Sequence, residues 1–402
     1  MTVFTSPKGH EDLPRYFALA FASLKALQRG VLDIVLCDGR VFRINGPDAG
    51  KYARIIAKDD TIWARLIREG DMGFSDAYLD GQWETPDLQA FLDLVFDNFA
   101  EISKKYPGAS LLRMYERLRH WMNRNTKEQA RKNISYHYDL GNDFYARWLD
   151  DTMTYSSALF ETGQESLENA QIRKYASICD EMGMREGDHL LEIGCGWGGF
   201  AEYAAGQRGV SLKCLTISQE QYDYAKERMF KAGLAEKVDI VMQDYRDEAG
   251  QYDGIASIEM FEAVGEKYWP SYFNTVHDCL KPGRQATIQV ITMADHLFDN
   301  YRKTIDFIQR HIFPGGMLPS PTVLRVEIEK SGLVFCTSKE FGKSYSLTLR
   351  RWFDSFNAGW DDIENTQFDT RFRNMWNFYL TSCAAGFEYD TTDVTQVTMR
   401  RR

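Results

Sequence analysis

Beyond about residue 170 the chain alternates short apolar runs with helix-like segments, and this alternation constrains the fold more than any other feature. A parallel sheet covered by helices on both faces has this pattern, because each strand is buried and each crossover needs a helix. Ligands in this α/β architecture bind at the carboxyl ends of the strands. The predicted strands are His189–Ile193, Leu212–Ile217, Val238–Gln243, Gly254–Glu259 and Ala286–Met293, with a helix predicted over Gln219–Lys231.

The first 103 residues have a different pattern. Residues 31–44 alternate apolar and polar side chains on both sides of Asp38-Gly39, and both turn residues tolerate positive φ, so a β-hairpin is predicted. A helix is predicted to open at Thr85-Pro86-Asp87, with the proline at the first helical position. The hairpin and the helices predict a smaller N-terminal α+β domain over residues 1–103, and no catalytic motif is found in this region.

The distribution of charge sets one segment apart. The chain has 402 residues, with 48 Lys and Arg against 58 Asp and Glu, and this acidity disfavours nucleic acid as a partner. Residues 104–132 run against the trend, with nine basic and two acidic side chains and with Leu111, Tyr115, Leu118 and Met122 at helical spacing. Two interpretations stay open: a basic amphipathic helix on an anionic membrane surface, and a solvated helix that links two domains.

Targeting signals and metal-binding patterns are not found in the sequence. No apolar run approaches the roughly 18 residues of a spanning helix, and no signal-peptide pattern is visible. The seven cysteines are scattered without a C-x-x-C pair, and the seven histidines have no metal-ligand spacing. We therefore expect a cytoplasmic protein with neither a disulfide framework nor a metal site.

The loop after the first predicted strand is rich in glycine. Glycines at 194, 196 and 198 permit a tight turn and let a ligand approach the backbone closely. Glu192, at the end of that strand, suits a cationic amino acid better than a pyrophosphate. The third strand ends at Asp244-Tyr245-Arg246, where an acidic group and a ring suit an adenine. The alternative is a tight turn in a generic α/β domain, but compatible groups follow three consecutive strands.

Several motifs between residues 133 and 390 closely resemble those of the cyclopropane-fatty-acyl-phospholipid synthases and the related mycolic-acid cyclopropane synthases. These enzymes are S-adenosylmethionine-dependent methyltransferases, so the resemblance implies that cofactor and a Rossmann-like class I methyltransferase domain over residues 133–402. It also implies an accessory domain over residues 1–103, with residues 104–132 as the linker. The motifs are Tyr138-Asp-Leu-Gly-Asn-Asp-Phe-Tyr, Met153-Thr-Tyr-Ser, Glu192-Ile-Gly-Cys-Gly-Trp-Gly-Gly, Leu215-Thr-Ile-Ser-Gln-Glu-Gln, Gln243-Asp-Tyr-Arg-Asp, Met260-Phe-Glu-Ala-Val-Gly, Phe313-Pro-Gly-Gly-Met-Leu-Pro-Ser and Tyr379-Leu-Thr-Ser-Cys-Ala-Ala-Gly-Phe.

The resemblance assigns roles to individual residues. It places Glu262 and Tyr345 in the active site, with Ser157 and Gln289 at two further catalytic positions. Cys383 matches a cysteine once viewed as catalytic, although a buried structural thiol is the preferred interpretation. The implied cofactor contacts are Tyr155, Ser156, Glu192, Gly194, Cys195, Gly196, Gly198, Thr216, Ser218, Gln221, Asp244, Tyr245 and Arg246.

Two of these positions depart from the family pattern. The cyclopropane synthases have a cysteine where this chain has Ser157, and a histidine where it has Gln289. In the family those two residues, with the glutamate and the tyrosine, hold a bicarbonate ion that acts as the base. Gln289 cannot take up a proton and Ser157 changes the local donors, so both the bicarbonate ion and the product are in question.

The expected reaction is S-adenosylmethionine-dependent C-methylation of an unsaturated acyl chain in a membrane phospholipid, through a carbocation that aromatic faces stabilise. Proton loss from the new methyl group would close a cyclopropane, whereas loss from a neighbouring carbon would leave a methylene- or methyl-branched chain. We expect the branched product, with the cyclopropane as the first alternative. A non-catalytic lipid-binding protein and a methyltransferase for a small soluble molecule are the others.

A lipid substrate favours the membrane-surface interpretation of the basic segment, residues 104–132. Anionic lipids attract polybasic segments, so we expect a cytoplasmic protein that associates peripherally with the inner face of the membrane. Members of the family are often dimers, and a homodimer is therefore one expectation, although no coiled-coil seam shows in the sequence.

Overall fold

The computed structural model describes residues 2–103, 129, 140–364 and 367–402. Apart from Gln129, the basic segment 104–132 lies outside the described residues, as does the start of the motif at Tyr138, so the membrane-helix interpretation stays a prediction. The described chain divides into two compact units. The first holds the residues up to 103 with Thr304–His311 and Trp360–Tyr389, and the second holds residues 140–303 with Ile312–Gly359 and Asp390–Arg402.

The first unit is built on a mixed sheet of five strands in the order β1-β3-β2-β4-β5. The predicted hairpin is confirmed: the second and third strands pair antiparallel around the Asp38-Gly39 turn, where Gly39 has a φ of 85°. The strands are β1 (Val3–Phe4), β2 (Arg29–Val35), β3 (Val41–Asn45), β4 (Asp48–Ala57) and β5 (Trp83–Glu84).

Helices occur in both units. In chain order they are α1 (Phe17–Leu24), α2 (Ile62–Leu79), α3 (Leu88–Asp97), α4 (Phe99–Ser103), α5 (Asn142–Ala146), α6 (Leu167–Met182), α7 (Gly199–Gln207), α8 (Gln219–Lys231), α9 (Trp269–Cys279), α10 (Asp295–Tyr301), α11 (Phe307–His311), α12 (Pro321–Lys330), α13 (Gly342–Ala358), α14 (Trp360–Ile363) and α15 (Thr370–Glu388). The prediction for Gln219–Lys231 is confirmed. In α3 the proline prediction is wrong, because Asp87 is the N-cap, accepting a hydrogen bond from the Ala90 N–H at 2.8 Å, and Pro86 precedes it.

Late segments of the chain complete the first unit. The Asn374 side chain of α15 donates a hydrogen bond to the Tyr78 carbonyl of α2 at 3.2 Å, and the rings of Phe307 and Phe378 lie 4.7 Å apart. The sequence pattern does not predict this return of the chain, since an apolar helix face does not reveal which element it will cover.

The second unit is built on a seven-stranded sheet in the order β11-β12-β10-β9-β6-β7-β8. The five predicted strands are all present, and they are parallel to one another as expected. The seven strands are β6 (His189–Ile193), β7 (Ser211–Thr216), β8 (Val238–Met242), β9 (Tyr252–Ile258), β10 (Leu280–Met293), β11 (Leu333–Glu340) and β12 (Thr392–Arg401).

The purely parallel sheet of the prediction is incomplete, because β12 is inserted antiparallel between β10 and β11. Strand β12 was not predicted because its buried side chains include polar ones, among them Thr395, Gln396 and Thr398. Hydrophobic periodicity identifies a strand only when the buried face is apolar. Apolar clusters cover both faces of the sheet, one around α9 and α12 and the other around α6, α7 and α8. None of the helices that the structure describes combines the length and hydropathy needed to cross a bilayer.

Candidate active site

The carboxyl ends of β6, β7 and β8 are neighbours in the sheet, so the residues that follow these strands share one edge. The glycine loop lies here, with φ values of 82°, 53° and 83° at Gly194, Gly196 and Gly198. A Cβ at Gly194 would lie 2.6 Å from the Met260 side chain, whereas one at Gly196 would meet nothing within 4 Å. The loop is therefore packed on one side and open on the other, as a cradle for a ligand requires.

Glu192, at the end of β6, is 2% exposed. Within the described part of the chain, the thiol of Cys214 makes the one hydrogen bond to its carboxylate, at 3.5 Å. Burial raises the pKa of Glu192 to about 7, although that bond and the charges of Lys174 and Arg228 act in the opposite direction. A buried carboxylate with so few donors is complementary to an ammonium group.

The end of β7 carries a compact polar cluster. The Thr216 hydroxyl donates to the Gln221 amide oxygen at 3.1 Å and accepts the Ser218 N–H at 3.2 Å. Ser218 is also the N-cap of α8, because its hydroxyl accepts the Gln221 N–H. The structure therefore brings together all three candidates from this strand.

The candidates after β8 are tied to each other. The Arg246 guanidinium donates to both carboxylate oxygens of Asp244, at 2.8 and 2.7 Å. It also lies 5.6 Å from the ring centres of Tyr245 and Tyr268. The strand end therefore carries an ion pair beside two aromatic rings. Cys195 lies in the glycine loop, and burial holds the pKa of its thiol well above the ordinary value, which disfavours the reactive thiolate form.

Tyr155 lies in a wall of aromatic rings. Its ring centre is 5.5 Å from Tyr145, 5.6 Å from Trp148 and 5.3 Å from Trp352. Trp352 in turn lies 6.2 Å from Tyr345, so the wall reaches the catalytic candidates. Such faces attract a cation.

A second carboxylate, Glu259, is the centre of the cluster of candidate catalytic residues, and no role was predicted for it. One of its oxygens accepts the Ser157 N–H and the Gln289 side-chain amide, both at 2.8 Å. The other accepts the Tyr345 hydroxyl at 2.6 Å. Three of the four predicted catalytic residues therefore meet on one carboxylate.

The backbone of Glu259 is strained. It directly follows β9 and has a φ of 50°, a left-handed conformation that costs a residue with a side chain of order 1–3 kcal/mol. Burial raises the pKa of Glu259, although the hydrogen bonds from Tyr345 and Gln289 and the charge of Lys174 oppose the rise. A strained, desolvated carboxylate held by neutral donors is typical of a functional site.

Glu262, the predicted active-site acid, is not hydrogen-bonded to Ser157, Gln289 or Tyr345. One oxygen accepts the Ile291 N–H at 2.6 Å, and the other is buried with no hydrogen-bond partner among the described residues. Burial and then the negative charge of Glu259 raise the pKa of Glu262 to about 8. Both causes favour the protonated form of Glu262.

Two further polar residues belong to this cluster and were missed. The Lys174 ammonium donates to the Ser156 hydroxyl at 2.7 Å, and the Gln396 side chain donates to the Gln289 amide oxygen at 3.1 Å. The sequence contained a signal for Glu259, because this carboxylate stands at the carboxyl end of a predicted strand, three residues before Glu262. Lys174 and Gln396 had no such signal, since a lone lysine in a helix and a glutamine in a strand are common on surfaces.

Cys383 belongs to α15 in the first unit, whereas the other candidates lie in the second. It is a free, half-buried cysteine, and burial followed by the charge of Asp306 raises the pKa of its thiol. The thiol therefore stays protonated, as the structural interpretation requires.

Comparison with known proteins agrees with this geometry. Residues 125–397 match the family described as Mycolic acid cyclopropane synthetase. The chain is 35% identical over 389 residues to the Tuberculostearic acid methyltransferase UfaA1 of Mycobacterium tuberculosis, covering 92% of this chain and 88% of the relative. It is also 35% identical over 360 residues to the Cyclopropane-fatty-acyl-phospholipid synthase of Escherichia coli, covering 87% and 88%.

A solved structure extends the likeness to the cofactor. The mycolic acid cyclopropane synthase CmaA1, complexed with SAH and CTAB, superposes with a TM-score of 0.63 at 27% identity, covering 67% of this chain and 98% of that one. The open glycine cradle and the lone buried Glu192 of the present chain fit the same class of ligand. The chain therefore belongs to the mycolic acid cyclopropane synthetase family of S-adenosylmethionine-dependent methyltransferases.

Proposed function

We propose that this protein methylates a carbon–carbon double bond in an acyl chain of a membrane phospholipid and yields a methylene- or methyl-branched product. The single observation that carries the proposal is the position of Glu259. Its carboxylate accepts hydrogen bonds from Ser157, Gln289 and Tyr345, three of the positions at which the family resemblance implies a bicarbonate ion. A side chain of this protein thus supplies the carboxylate-like group, and a separate ion has no role in the proposal.

The residues after β6, β7 and β8 would hold the cofactor, with Glu192 suited to its amino group and the glycine loop to close backbone approach. When bound, S-adenosylmethionine supplies an electrophilic methyl group, whose addition to a double bond leaves the acyl chain as a carbocation. The aromatic wall of Tyr145, Tyr155 and Trp352 would stabilise this cation by about 0.5–2 kcal/mol per ring.

Glu259 would then accept the proton that the cation loses. Its raised pKa makes the ionised carboxylate a stronger base, and Tyr345 and Gln289 fix its orientation. The electron pair of the broken C–H bond forms the new double bond, and the proton ends on a Glu259 oxygen. Glu259 follows β9 directly, so we propose that it removes a proton from a carbon next to the cation, which leaves a methyl-branched alkene. The methylene product forms when the hydrogen of the methylated carbon first moves with its electron pair to the cationic carbon, so that the new methyl group becomes the neighbour that loses the proton.

The relatives include both product classes. One is named a tuberculostearic acid methyltransferase and another a cyclopropane-fatty-acyl-phospholipid synthase, at equal identity to this chain. Cyclopropane formation is therefore the second candidate, with Glu259 accepting the proton from the new methyl group instead.

Proton NMR of extracted lipid separates the candidates. The protein is incubated with S-adenosylmethionine and vesicles of dioleoylphosphatidylglycerol, and signals of vinylidene or branched-methyl protons are expected. Upfield cyclopropane-ring signals would overturn the branched product and leave the methyltransferase assignment intact. Unchanged lipid with this and other unsaturated phospholipids would contradict the substrate class.

The base is tested by removing its carboxylate. E259A is expected to be inactive and to regain part of its activity when formate or bicarbonate is added, because the small anion can occupy the space between Ser157, Gln289 and Tyr345. E262Q is the matched comparison: burial and the charge of Glu259 favour the protonated form of Glu262, so its amide analogue should lose less than tenfold in rate, a threshold that corresponds to about 1.4 kcal/mol. Greater loss in E262Q than in E259Q would assign the base to Glu262.

The membrane part of the proposal rests on residues 104–132, whose basic side chains would attract an anionic surface. Liposome flotation tests it, with binding expected to rise with the fraction of phosphatidylglycerol and to fall with salt. Flotation that is independent of anionic lipid would contradict this part alone.

A further inference from the structure

Lys174 is a lysine buried in the catalytic unit that the proposed reaction does not use. It lies in α6 with a relative exposure of 0%. Its ammonium group donates to the Ser156 hydroxyl at 2.7 Å and lies 4.7 Å from the ring centre of Tyr175. Within the part of the chain that the structure describes, no carboxylate lies within ion-pair distance of it. A lysine that is fully buried without such a partner is rare and costly, so a structural role by itself is a weak explanation.

Two paths of hydrogen bonds connect Lys174 to Glu259. The first is the Ser156-Ser157 segment: the Lys174 ammonium holds the hydroxyl of Ser156, and the next N–H, from Ser157, binds the Glu259 carboxylate. Gln171, one turn earlier in α6 and also fully buried, donates to the Ser156 carbonyl at 3.0 Å. One face of α6 therefore fixes the segment that supplies a donor to Glu259.

The second path crosses the sheet. The Gln396 side chain donates both to the Lys174 carbonyl, at 3.4 Å, and to the Gln289 amide oxygen, at 3.1 Å. Gln289 donates in turn to Glu259 at 2.8 Å. Helix α6 and strands β9, β10 and β12 are thus joined in one polar network around the Glu259 carboxylate.

The charged groups around Lys174 are acidic. Glu259 acts on it most strongly, followed by Asp150 and Glu192, and all three favour the ammonium form, whereas burial opposes it and brings the pKa of Lys174 to about 7. The hydrogen bond from Tyr345 and the charge of Lys174 lower the pKa of Glu259, and the charge of Glu259 in turn raises the pKa of Glu262. The positive charge of Lys174 lowers the pKa of Glu259, so this lysine offsets part of the charge of the carboxylate.

We propose that Lys174 is a positioning residue for methyl transfer, whose buried ammonium group orients the Ser156-Ser157 segment and keeps Glu259 ionised. Held by Ser156, the ammonium stays out of contact with the Glu259 carboxylate. A direct ion pair would satisfy the carboxylate and weaken it as a base, whereas a cation one hydrogen bond further away stabilises the charge and leaves the oxygens free to accept a proton. This inference rests on the role that the proposed function gives to Glu259.

A double-mutant cycle on stability tests the charge coupling without any substrate. K174M leaves a buried carboxylate without its cation, and E259Q leaves a buried ammonium without its strongest anion, so each is expected to lower the midpoint of thermal unfolding by several degrees. K174M/E259Q removes both charges and is expected to unfold at a higher temperature than K174M. Additive losses would overturn the coupling. If K174M does not fold, K174M/E259Q is still expected to fold, because it has no unpaired buried charge at these two positions. If neither K174M nor K174M/E259Q folds, the proposal is overturned.

The pH profile tests the effect on the base. Removing the positive charge raises the pKa of Glu259, so the acid limb of kcat/KM with dioleoylphosphatidylglycerol vesicles should move up by about one pH unit in K174M. K231M is the control for loss of a positive charge, because the exposed Lys231 of α8 forms a surface ion pair with Glu227 at 2.6 Å, outside the network around Glu259. Its acid limb should match that of the wild type. An unshifted limb in K174M would overturn the proposal, whereas the stability cycle stays valid whichever product forms.

Discussion

Each unit of the protein contains a carboxylate removed from water, and the two are held in opposite ways. In the first unit, Asp33 of β2 is fully buried, with Arg43 and Arg54 at the paired positions of β3 and β4. Arg43 binds it through two hydrogen bonds of 2.6 and 2.9 Å, and the Tyr52 hydroxyl adds a third of 2.8 Å. In the second unit, Glu259 has a tyrosine as well, but its other donors are an amide side chain and a backbone N–H.

The pKa shifts follow from the donors. Burial raises the pKa of Asp33, but hydrogen bonds from Arg43 and Tyr52 outweigh it, and the pKa ends below the ordinary value. Burial raises the pKa of Glu259, and the neutral donors with the more distant Lys174 do not outweigh this effect. The pKa of Glu259 therefore ends above the ordinary value for a glutamate. Guanidinium groups in contact therefore make a carboxylate permanently charged and structural, whereas neutral donors keep it able to exchange a proton.

The largest expected effect is that of E259Q on catalysis. An amide cannot accept the proton, so kcat should fall by about 10²–10⁴-fold. The matched change in the other unit, D33N, should leave kcat per folded molecule unchanged. Product formation with unsaturated phospholipid vesicles measures both. Near wild-type turnover in E259Q would contradict the proposed difference between the two carboxylates, because Glu259 would then have only a structural role, like Asp33.

Y345F is expected to have the next largest effect. It removes a hydrogen bond to a charged group, worth about 1.5–3 kcal/mol, so kcat should fall by about 10–100-fold. Losing that bond also raises the pKa of Glu259 further, since Tyr345 is the first of the groups that lower it. The acid limb of the rate profile should therefore move to higher pH, and a fall in kcat with no such movement would argue that Tyr345 acts only by packing.

D33N should lower the free energy of unfolding by about 2 kcal/mol at neutral pH, because it weakens the bonds to two arginines. The folded pKa of Asp33 lies below the ordinary 3.8, so its contribution is present above that value and is lost as the pH falls through the folded pKa. Urea unfolding at pH 7 and pH 3 measures the difference between variant and wild type, which should shrink at the lower pH. A constant difference would show that shape rather than charge stabilises this site.

The smallest expected effect is that of Y52F, the counterpart of Y345F. The Tyr52 side chain is half exposed and the Asp33 carboxylate keeps its guanidinium partners, so the loss should be about 0.5 kcal/mol of unfolding free energy with no change in kcat. If Y52F and Y345F lowered activity alike, the contrast between the two carboxylates would fail.

Much of the catalytic unit could be predicted from particular residues. The glycines at 194, 196 and 198 predicted the loop after β6. Thr216 and Asp244 were correctly predicted at the ends of β7 and β8. Local spacing and strand order together determine which residues lie at that edge of the sheet. Ser157, Gln289 and Tyr345 were assigned to the catalytic site, and the structure brings them together. Glu262 was assigned with them, yet the carboxylate that they contact is Glu259.

The choice between the two glutamates depends on the backbone after β9. The left-handed φ of Glu259 turns its side chain toward Gln289 and Tyr345, and three residues later the short helical turn leaves Glu262 bound to the Ile291 N–H. No local sequence rule predicts a left-handed glutamate, because the conformation is unfavourable by itself and is imposed by surrounding contacts.

The sequence by itself determined the class of the protein: a parallel sheet, a glycine cradle at its edge and the motifs of a methyltransferase family. The sheet and the cradle follow from periodicity and local spacing, which act over a few residues, and the family follows from the resemblance of the motifs. The tertiary structure alone decided which carboxylate is the proposed base, which lysine faces it and that residues 360–389 complete the first unit. Each of these depends on groups far apart in the chain, and burial, which sets their charges, exists only once the chain has folded.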